Sequence, residues 1–274
     1  GPLMTIDDED SGVVLSGVAF TLAAGSIPLT SPLLRVLYGS VGMSEVDAHD
    51  IVLADTQLIS LPSDLDYVTV FTTCTFTNIT RQQGDGCVFS ETVDASDPLT
   101  LNNIHFINCT CSNGYGGAVS IMLRFRSGLK LSNVDFTACS SGASLDTSLS
   151  TTASTSSTSA GSRTNPSSSG KGGGLYIHVD GIPTTFSFTD VTLSSCSANE
   201  GRAIYIDTTN VAAFTDGYWK NVLESVSGAV DGDVVCLYAD TDESLHLQDL
   251  IPFIQQTTQD AVASEEKNDD SGIK

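Results

Sequence analysis

The stretch that decides the fold is LNNIHF at residues 101–106, which returns as LSNVDF at 131–136 and as FTDVTL at 188–193. Each copy leads to a Cys and then to a glycine-rich block, which reads GGAVSI at 116–121, GGLYI at 173–177 and GRAIYI at 201–206. Related copies begin at positions 15, 48, 71 and 214, so the repeat spans 23 to 33 residues apart from one step of 57. Self-similarity at such a period is typical of a stacked repeat architecture.

Within each unit the apolar residues lie two apart or in short runs, bounded by Gly, Asn, Asp and Ser. This pattern indicates strands rather than helices. We therefore expect an all-β fold, a single-stranded right-handed parallel β-helix (a β-solenoid, pectin-lyase-like) of about seven coils, roughly 35 Å long. A leucine-rich repeat is a weaker alternative because its L-x-x-L-x-L scaffold is missing. A β-sandwich is weaker because it does not place equivalent residues in columns.

Equivalent positions of successive units should form columns along the rod. We expect two apolar columns to face the interior, namely Ile104, Val134 and Val191, and Phe106, Phe136 and Leu193. A glycine column, Gly86, Gly117, Gly174 and Gly201, should mark a corner where the backbone needs positive φ or where coils approach closely. A polar column, Asn103, Asn133 and Asp190, should be structural, with side chains that hydrogen-bond along the rod at a bend.

Cys109, Cys139 and Cys196 occupy one further column, in which Ile79 precedes them. An apolar residue at that position indicates an interior column, where a free Cys behaves as a small hydrophobe. Disulfide pairing is a less favoured alternative because stacked strands do not offer the required geometry. A metal site is the least favoured, because no second Cys/His pair accompanies Cys109 and Cys111.

The composition bounds the partners and the domain organisation. With 33 acidic and 11 basic residues the chain has a net charge of −22, so nucleic acid and anionic membranes are not expected partners. The chain contains no run of 18 apolar residues, which is the length that would suggest a membrane-spanning helix. The predicted organisation is a tag remnant with an acidic tail at 1–10, a β-helix at 11–239, a capping element at 240–255 and a disordered acidic tail at 256–274. A disordered Ser/Thr-rich insert is expected at 140–171, since residues 144–169 contain 17 Ser or Thr out of 26.

The sequence offers little that indicates catalysis, and we expect no catalytic residues, no metal and no cofactor. Parallel β-helix hydrolases need paired carboxylates for glycoside hydrolysis, and no such motif is assembled here. The single basic and acidic grouping, Arg124, Arg126 and Asp135, is better explained as a solvated patch. Tyr176 and Tyr205 occupy equivalent positions and could stack as an exposed two-rung ligand face. Asn78 and Asn108 each begin an N-glycosylation motif at equivalent repeat positions.

The FIN motif at 106–108 followed by GGAV at 116–119 resembles the repeats of chlamydial-type polymorphic outer membrane proteins. It is equally similar to the β-helix repeats, with F-x-N-C and G-G-A, of large surface proteins of protists. The likeness spans roughly residues 12–239, and the Cys in three units favours the protist group. The resemblance implies a solenoid displayed at a cell surface, and it brings no catalytic residues with it.

These patterns together predict a non-catalytic extracellular or cell-surface module for adhesion or structural scaffolding. Its expected partners are glycans or other surface proteins. The alternative is a β-helix protein that binds or cleaves a polysaccharide. A groove of exposed aromatic side chains would favour that alternative.

Overall fold

The computed structural model describes residues 1–7, 12–61, 68–94, 98–124, 127–142, 170–180, 185–208, 225–228 and 235–239. The described chain is almost entirely β-strand, and all the strand pairs are parallel. Three sheets run along a solenoid of about five turns, counted on the third sheet. The predicted parallel β-solenoid is therefore confirmed.

Each sheet is built from strands of successive turns, and the second sheet takes two strands from several of them. The first sheet contains β1 (Met4–Ile6), β4 (Leu34–Val36) and β7 (Ile59–Ser60). The second contains β2 (Gly12–Ser16), β3 (Ala19–Thr21), β5 (Ser40–Ser44), β6 (Asp47–Leu53), β8 (Thr69–Arg81), β10 (Leu99–Ile107), β11 (Thr110–Cys111), β13 (Gly128–Thr137), β14 (Ser140–Ser141), β16 (Thr185–Ser194) and β18 (Val226–Gly228). The third contains β9 (Phe89–Val93), β12 (Val119–Leu123), β15 (Leu175–Val179), β17 (Ile204–Thr208) and β19 (Val235–Ala239).

The strand register places the repeats in columns and corrects the start of one of them. The column through Leu101 runs Leu15, Met43, Phe71, Leu101, Leu131, Phe188. The second copy therefore starts at Met43, and the start predicted at Ala48 is wrong, because Ala48 pairs with Phe76. The predicted copy at 214–219 lies outside the described residues. The strand that pairs with β16 is β18, where Val226 takes the position opposite Val191.

Two bends turn the second sheet, and the same backbone conformation recurs at each of them. All ten non-glycine residues with positive φ in the described chain fall into two columns five residues apart, with φ of 51–57°. The first column is Glu45, Thr73, Asn103, Asn133 and Asp190, and the second is Asp50, Asn78, Asn108, Ala138 and Ser195. Asn and Asp tolerate this left-handed conformation better than other non-glycine residues. Their enrichment at these positions is thus a consequence of the bends.

The core lies inside the coils, in the columns that the alternation predicted. Ile104, Val134 and Phe106 are completely buried. The rings of Phe76, Phe106 and Phe136 stack along the axis, with centroids 5.4 and 4.9 Å apart and nearly parallel planes. Repeating one apolar side chain in every turn therefore produces a continuous core, which stabilises each turn through its neighbours.

The glycine corner differs from the predicted column in two of its four members. Register with Phe89, Val119, Leu175 and Ile204 aligns Gly86, Gly116, Gly172 and Gly201, all with φ between 55° and 65°. Gly117 and Gly174 lie one and two residues further along the turn. A side chain at Gly116 would lie 2.0 Å from the Val119 carbonyl oxygen, so this corner excludes any Cβ.

Several predicted boundaries shift. Met4–Ile6 forms β1 and pairs with β4, so the tail predicted for residues 1–10 is wrong there. Residues 140–142 and 170–171, predicted as part of the insert, belong to the solenoid, because Ser140 pairs with Thr110 and Lys171 with Glu200. The capping element at 240–255, the tail at 256–274 and the core of the insert lie outside the described residues. Among the described residues no helix combines the length and apolarity of a membrane span.

Candidate functional site

A ladder of three tyrosines runs along the outer side of the third sheet. Side chains alternate in direction along β15 and β17. The inward, buried positions are Leu175, Ile177, Ile204 and Ile206. Tyr176 and Tyr205 therefore point outward. The two tyrosines pair directly, with ring centroids 6.0 Å apart and planes 19° from parallel. Tyr115, in the turn before β12, extends the ladder, with its ring centroid 4.9 Å from that of Tyr176.

The Asp207 carboxylate joins this ladder to a histidine. The Tyr176 hydroxyl donates to Asp207 Oδ2 at 3.1 Å, and His178 Nδ1 donates to Asp207 Oδ1 at 2.6 Å. His178 and Asp207 occupy the same position in neighbouring turns. A carboxylate at Nδ1 fixes the tautomer of a neutral imidazole and leaves Nε2 as an acceptor. The arrangement can hold a polar ligand in a defined orientation.

Lys171 lies beside the rings. Its Nζ is 4.6 Å from the centroid of Tyr205 and 5.7 Å from that of Tyr115, distances at which a cation interacts favourably with the ring faces. Glu200 Oε2 is 3.9 Å from the same ammonium, and the Lys171 side chain is 21 % exposed. The ladder, Lys171, Glu200, His178 and Asp207 together form what we call the tyrosine face.

The tyrosine face is only partly open to solvent. Tyr176 and Tyr115 are half-buried, but Tyr205 is 1 % exposed. The expected stacking of Tyr176 on Tyr205 is present, whereas the expectation that both rings are exposed is wrong for Tyr205. A ligand can therefore reach Tyr115 and Tyr176, with Tyr205 supporting them from within.

Burial and the nearby Asp207 carboxylate both raise the pKa of Tyr176. The phenol therefore keeps its proton throughout the physiological range, and its O–H remains a donor to Asp207. Asp207 thus accepts two hydrogen bonds within the face, one from Tyr176 and one from His178.

The predicted Asn/Asp column lies on the first bend and is linked from turn to turn. Asn133 Nδ2 donates to Asn103 Oδ1 at 2.6 Å, and Asn103 Nδ2 donates to Thr73 Oγ1 at 3.3 Å. Asp190 continues the column with the same positive φ. These side chains connect neighbouring coils, which is a structural role.

A second ladder, which sequence reasoning missed, follows the other bend and contains both glycosylation motifs. Asn108 Nδ2 donates to Asn78 Oδ1, and Asn78 Nδ2 donates to Asp50 Oδ1, each at 2.8 Å. Both asparagines are exposed. The amide nitrogen that would carry a glycan is thus already engaged with the preceding turn at both positions.

The cysteine column faces the interior. Cys109 and Cys139 are buried and Cys196 is half-buried, and these three cysteines form no disulfide. Each of the three thiols donates to the carbonyl of a phenylalanine one turn earlier, at 3.3 to 3.4 Å. Burial raises the pKa of Cys109 and Cys139, which keeps these thiols protonated and unreactive.

The two described members of the basic and acidic grouping considered from sequence, Arg124 and Asp135, have different partners. Arg124 Nη1 lies 3.8 Å from Asp94 Oδ2, and His105 Nδ1 donates to Asp135 Oδ2 at 2.7 Å. Arg126 lies outside the described residues. Within the part of the chain that the structure describes, no cluster of three or more His, Cys, Asp or Glu could hold a metal ion.

Sequence reasoning named the tyrosines but missed Lys171, His178 and Asp207. A usable signal was present, because YIH at 176–178 aligns with YID at 205–207. Side chains at the same position of adjacent parallel strands face each other, so His and Asp there should pair. Comparison of the chain with protein-family models, with curated proteins and with solved structures found no match.

Proposed function

We propose that this chain is a non-catalytic extracellular or cell-surface module that serves in adhesion or structural scaffolding. The observation that carries the proposal is that the repeated polar side chains are used to join coils. Asn133 donates a hydrogen bond to Asn103 one turn away, and Asn108 donates one to Asn78. The thiols of Cys109 and Cys139 likewise donate to a neighbouring turn. The resemblance of the FIN and GGAV motifs to surface-protein repeats supports the same assignment.

The finer form of the fold belongs to this proposal. A right-handed, pectin-lyase-like β-helix of about seven coils is supported by the seven register positions from Leu15 to the β18 row. The connection between two parallel strands of one sheet is right-handed in the great majority of proteins. A crystal structure should show about seven right-handed coils stacked about 4.8 Å apart. Left-handed coils would contradict this form of the fold.

Retention on ligands separates an adhesive module from an enzyme. The purified chain should be passed over immobilised polysaccharides and glycoproteins, and the same polysaccharides should be assayed for new reducing or unsaturated ends. Retention without product is the expected result. New chain ends would overturn the non-catalytic assignment and direct attention to His178 and Asp207.

A carbohydrate-binding function is the second candidate, and the tyrosine face favours it. Half-buried rings provide a platform for the apolar face of a sugar, while Asp207, His178 and Lys171 offer hydrogen bonds at its edge. Such a site suits a neutral sugar, since the chain carries a charge of −22.

The corresponding test uses two tyrosine variants. Tyr176→Ala should reduce retention on a bound polysaccharide by about tenfold or more, which corresponds to the loss of an aromatic contact. Tyr38→Ala is the matched control, because Tyr38 is 45 % exposed and lies in another part of the chain. Equal retention of both variants would exclude the tyrosine face as the binding surface.

A further inference from the structure

The tyrosine face already contains one cation, whose position shows what the rings attract. Lys171 Nζ lies within 6 Å of two ring centroids, at 4.6 Å from that of Tyr205 and 5.7 Å from that of Tyr115. Glu200 Oε2 lies 3.9 Å from the same nitrogen. A ring face and a carboxylate together stabilise a cation that has lost part of its hydration. The Tyr205 end of the ladder is thus occupied by a side chain of the protein itself.

The more open end of the ladder combines the same two features. Tyr115 and Tyr176 are half-buried, so part of each ring meets solvent. Asp85 Oδ1 accepts the backbone N–H of Tyr115 at 2.8 Å, and Asp207 Oδ2 accepts the Tyr176 hydroxyl at 3.1 Å. The other hydrogen-bond partner of Asp207 is His178, and neither partner carries a permanent positive charge. A carboxylate has about four acceptor sites, so Asp207 retains room for a further donor.

The charges around this face also favour a cationic ligand. On the third sheet and at the corner that leads into it, carboxylates outnumber cations among the described residues by two, apart from the interior Glu91. The carboxylates are those of Asp55, Asp85, Asp94, Asp180, Glu200 and Asp207, and the cations are Arg81, Arg124, Lys171 and Arg202. The whole chain has a net charge of −22. A basic partner is therefore attracted to the chain from a distance and meets a local excess of carboxylates at the rings.

We propose that the tyrosine face binds an arginine side chain of a basic protein partner. The guanidinium lies against the Tyr115 and Tyr176 rings and donates to Asp207. This inference rests on the proposed function, because it names the class of partner that the adhesive module takes. Arginine fits better than lysine, since its planar guanidinium stacks on aromatic faces and is less strongly hydrated than an ammonium. A neutral sugar could cover the rings but would offer no charge to the Asp207 carboxylate.

The first arm of the test measures binding of short capped peptides to the full chain. Nuclear magnetic resonance of the chain with labelled tyrosines should show saturable shifts of the Tyr115 and Tyr176 ring signals with Gly-Arg-Gly. Gly-citrulline-Gly has nearly the same shape without the charge, and it should bind at least about tenfold more weakly. Equal affinity for these two peptides would overturn the proposal. Gly-Lys-Gly should bind more weakly than Gly-Arg-Gly, and the reverse order would overturn the assignment of a guanidinium.

The second arm separates the local carboxylate from the net charge of the chain. Asp207→Asn and Asp190→Asn each remove one negative charge. Asp207→Asn should weaken binding of Gly-Arg-Gly by about tenfold. Asp190→Asn is the matched control and should leave it unchanged, because Asp190 is exposed on the first bend of the second sheet, where Asn103 and Asn133 occupy equivalent positions. Equal weakening would mean that the peptide responds only to net charge, which would overturn the proposal.

The third arm tests the ring contact. Tyr176→Phe keeps the ring and should retain most of the affinity, whereas Tyr176→Leu should lose about tenfold. Equal losses in the two variants would overturn the contact with the ring.

Failure of this inference differs from failure of the proposed function. If Gly-Arg-Gly does not bind and Asp207→Asn keeps full retention on glycoproteins, the arginine site is wrong and the adhesive module stands. If polysaccharides gain new chain ends while Gly-Arg-Gly binds as expected, the non-catalytic assignment is wrong and the arginine site stands. If a neutral polysaccharide shifts the Tyr176 ring signals and Gly-Arg-Gly does not, the face binds sugar and the proposal is overturned.

Discussion

The described residues of the turn at 69–98 and of the next turn, at 99–128, have matching backbones and different interiors. Their strands pair in register, and both bend at two residues with positive φ. Arg81 of the earlier turn pairs with Cys111 of the later one, and Glu91 pairs with Ile121. Thr69 is likewise followed one turn later by Leu99. Three buried polar side chains in one turn are thus replaced by Leu, Cys and Ile in the next.

The two buried ionisable groups of the earlier turn are accommodated differently. Arg81 donates to the carbonyl oxygens of Asp55 and Gly86, each at 3.1 Å, and to that of Asp85, although its Nε has no partner among the described residues. Glu91 Oε1 has no hydrogen-bond partner among the described residues. Burial raises the pKa of the Glu91 carboxyl well above its ordinary value. The comparison indicates that backbone pairing and the bends define the coil, while the interior side chains set its stability.

The largest changes in the free energy of unfolding should come from the stacked phenylalanine rings, which both turns contain. Phe76→Ala and Phe106→Ala each remove one ring from the axial stack, and each should lower the free energy of unfolding by about 3–5 kcal/mol. Urea denaturation followed by circular dichroism measures both. Ile107→Ala, on the outer face, is the control and should change stability by less than about 0.5 kcal/mol. A small loss for either phenylalanine would mean that the stack does not run through both turns.

The next effect concerns the buried guanidinium. Arg81→Met should lower the free energy of unfolding by about 2–3 kcal/mol, because three carbonyl acceptors lose their donor inside the solenoid. Arg35→Met changes an exposed arginine and should have little effect. If both variants unfold at the same urea concentration, the hydrogen bonds of Arg81 do not stabilise the solenoid.

Replacing Glu91 by an apolar residue should raise the stability of the fold rather than lower it. Glu91→Leu restores the apolar character that the next turn has at Ile121, and it should raise stability at neutral pH by about 2 kcal/mol.

The pH dependence provides a separate check on Glu91. Because the folded pKa of this carboxyl is raised, the folded state holds the proton more tightly than the unfolded state. Its contribution is therefore complete below the unfolded pKa and is lost as the pH rises toward the folded pKa. Glu91→Gln should remove this part of the pH dependence. An unchanged slope of stability against pH in that variant would place the carboxyl in solvent.

The smallest effects should come from the first bend, where the earlier turn has Thr73 and the later turn Asn103. Thr73→Asn should raise stability by about 0.5–1 kcal/mol, because Asn adopts positive φ more readily and can extend the ladder. Asn103→Thr should lower it by about 0.5–1 kcal/mol, because Thr adopts positive φ less readily and its hydroxyl would offer Asn133 only the longer contact that Thr73 offers Asn103. Melting temperatures measure both, and shifts in the same direction would contradict the assigned ladder.

Sequence periodicity predicted the fold class and the apolar columns, because alternation in strands requires only that one face be buried. It could not decide between neighbouring candidates of the same type. The doublet at Gly116 and Gly117 does not reveal which residue has positive φ, and the start at Ala48 fitted the pattern as well as Met43 did. These choices depend on pairing between turns, which the sequence does not display.

The site was less predictable than the fold. Tyr176 and Tyr205 were identified because they repeat, but the burial of Tyr205 depends on surroundings that the repeat does not describe. Arg81 and Glu91 are charged residues for which composition predicts solvent exposure. Their inward orientation follows from register with Cys111 and Ile121.

The most direct test of the stacked register is a crystal structure of the full chain at a resolution that shows side chains. It should place Leu101 beside Phe71 and Leu131 in parallel strands, with Asn133 Nδ2 donating to Asn103 Oδ1. A register shifted by one residue would turn Phe106 outward and His105 inward. That result would contradict the columns on which the core, the ladders and the tyrosine face all depend.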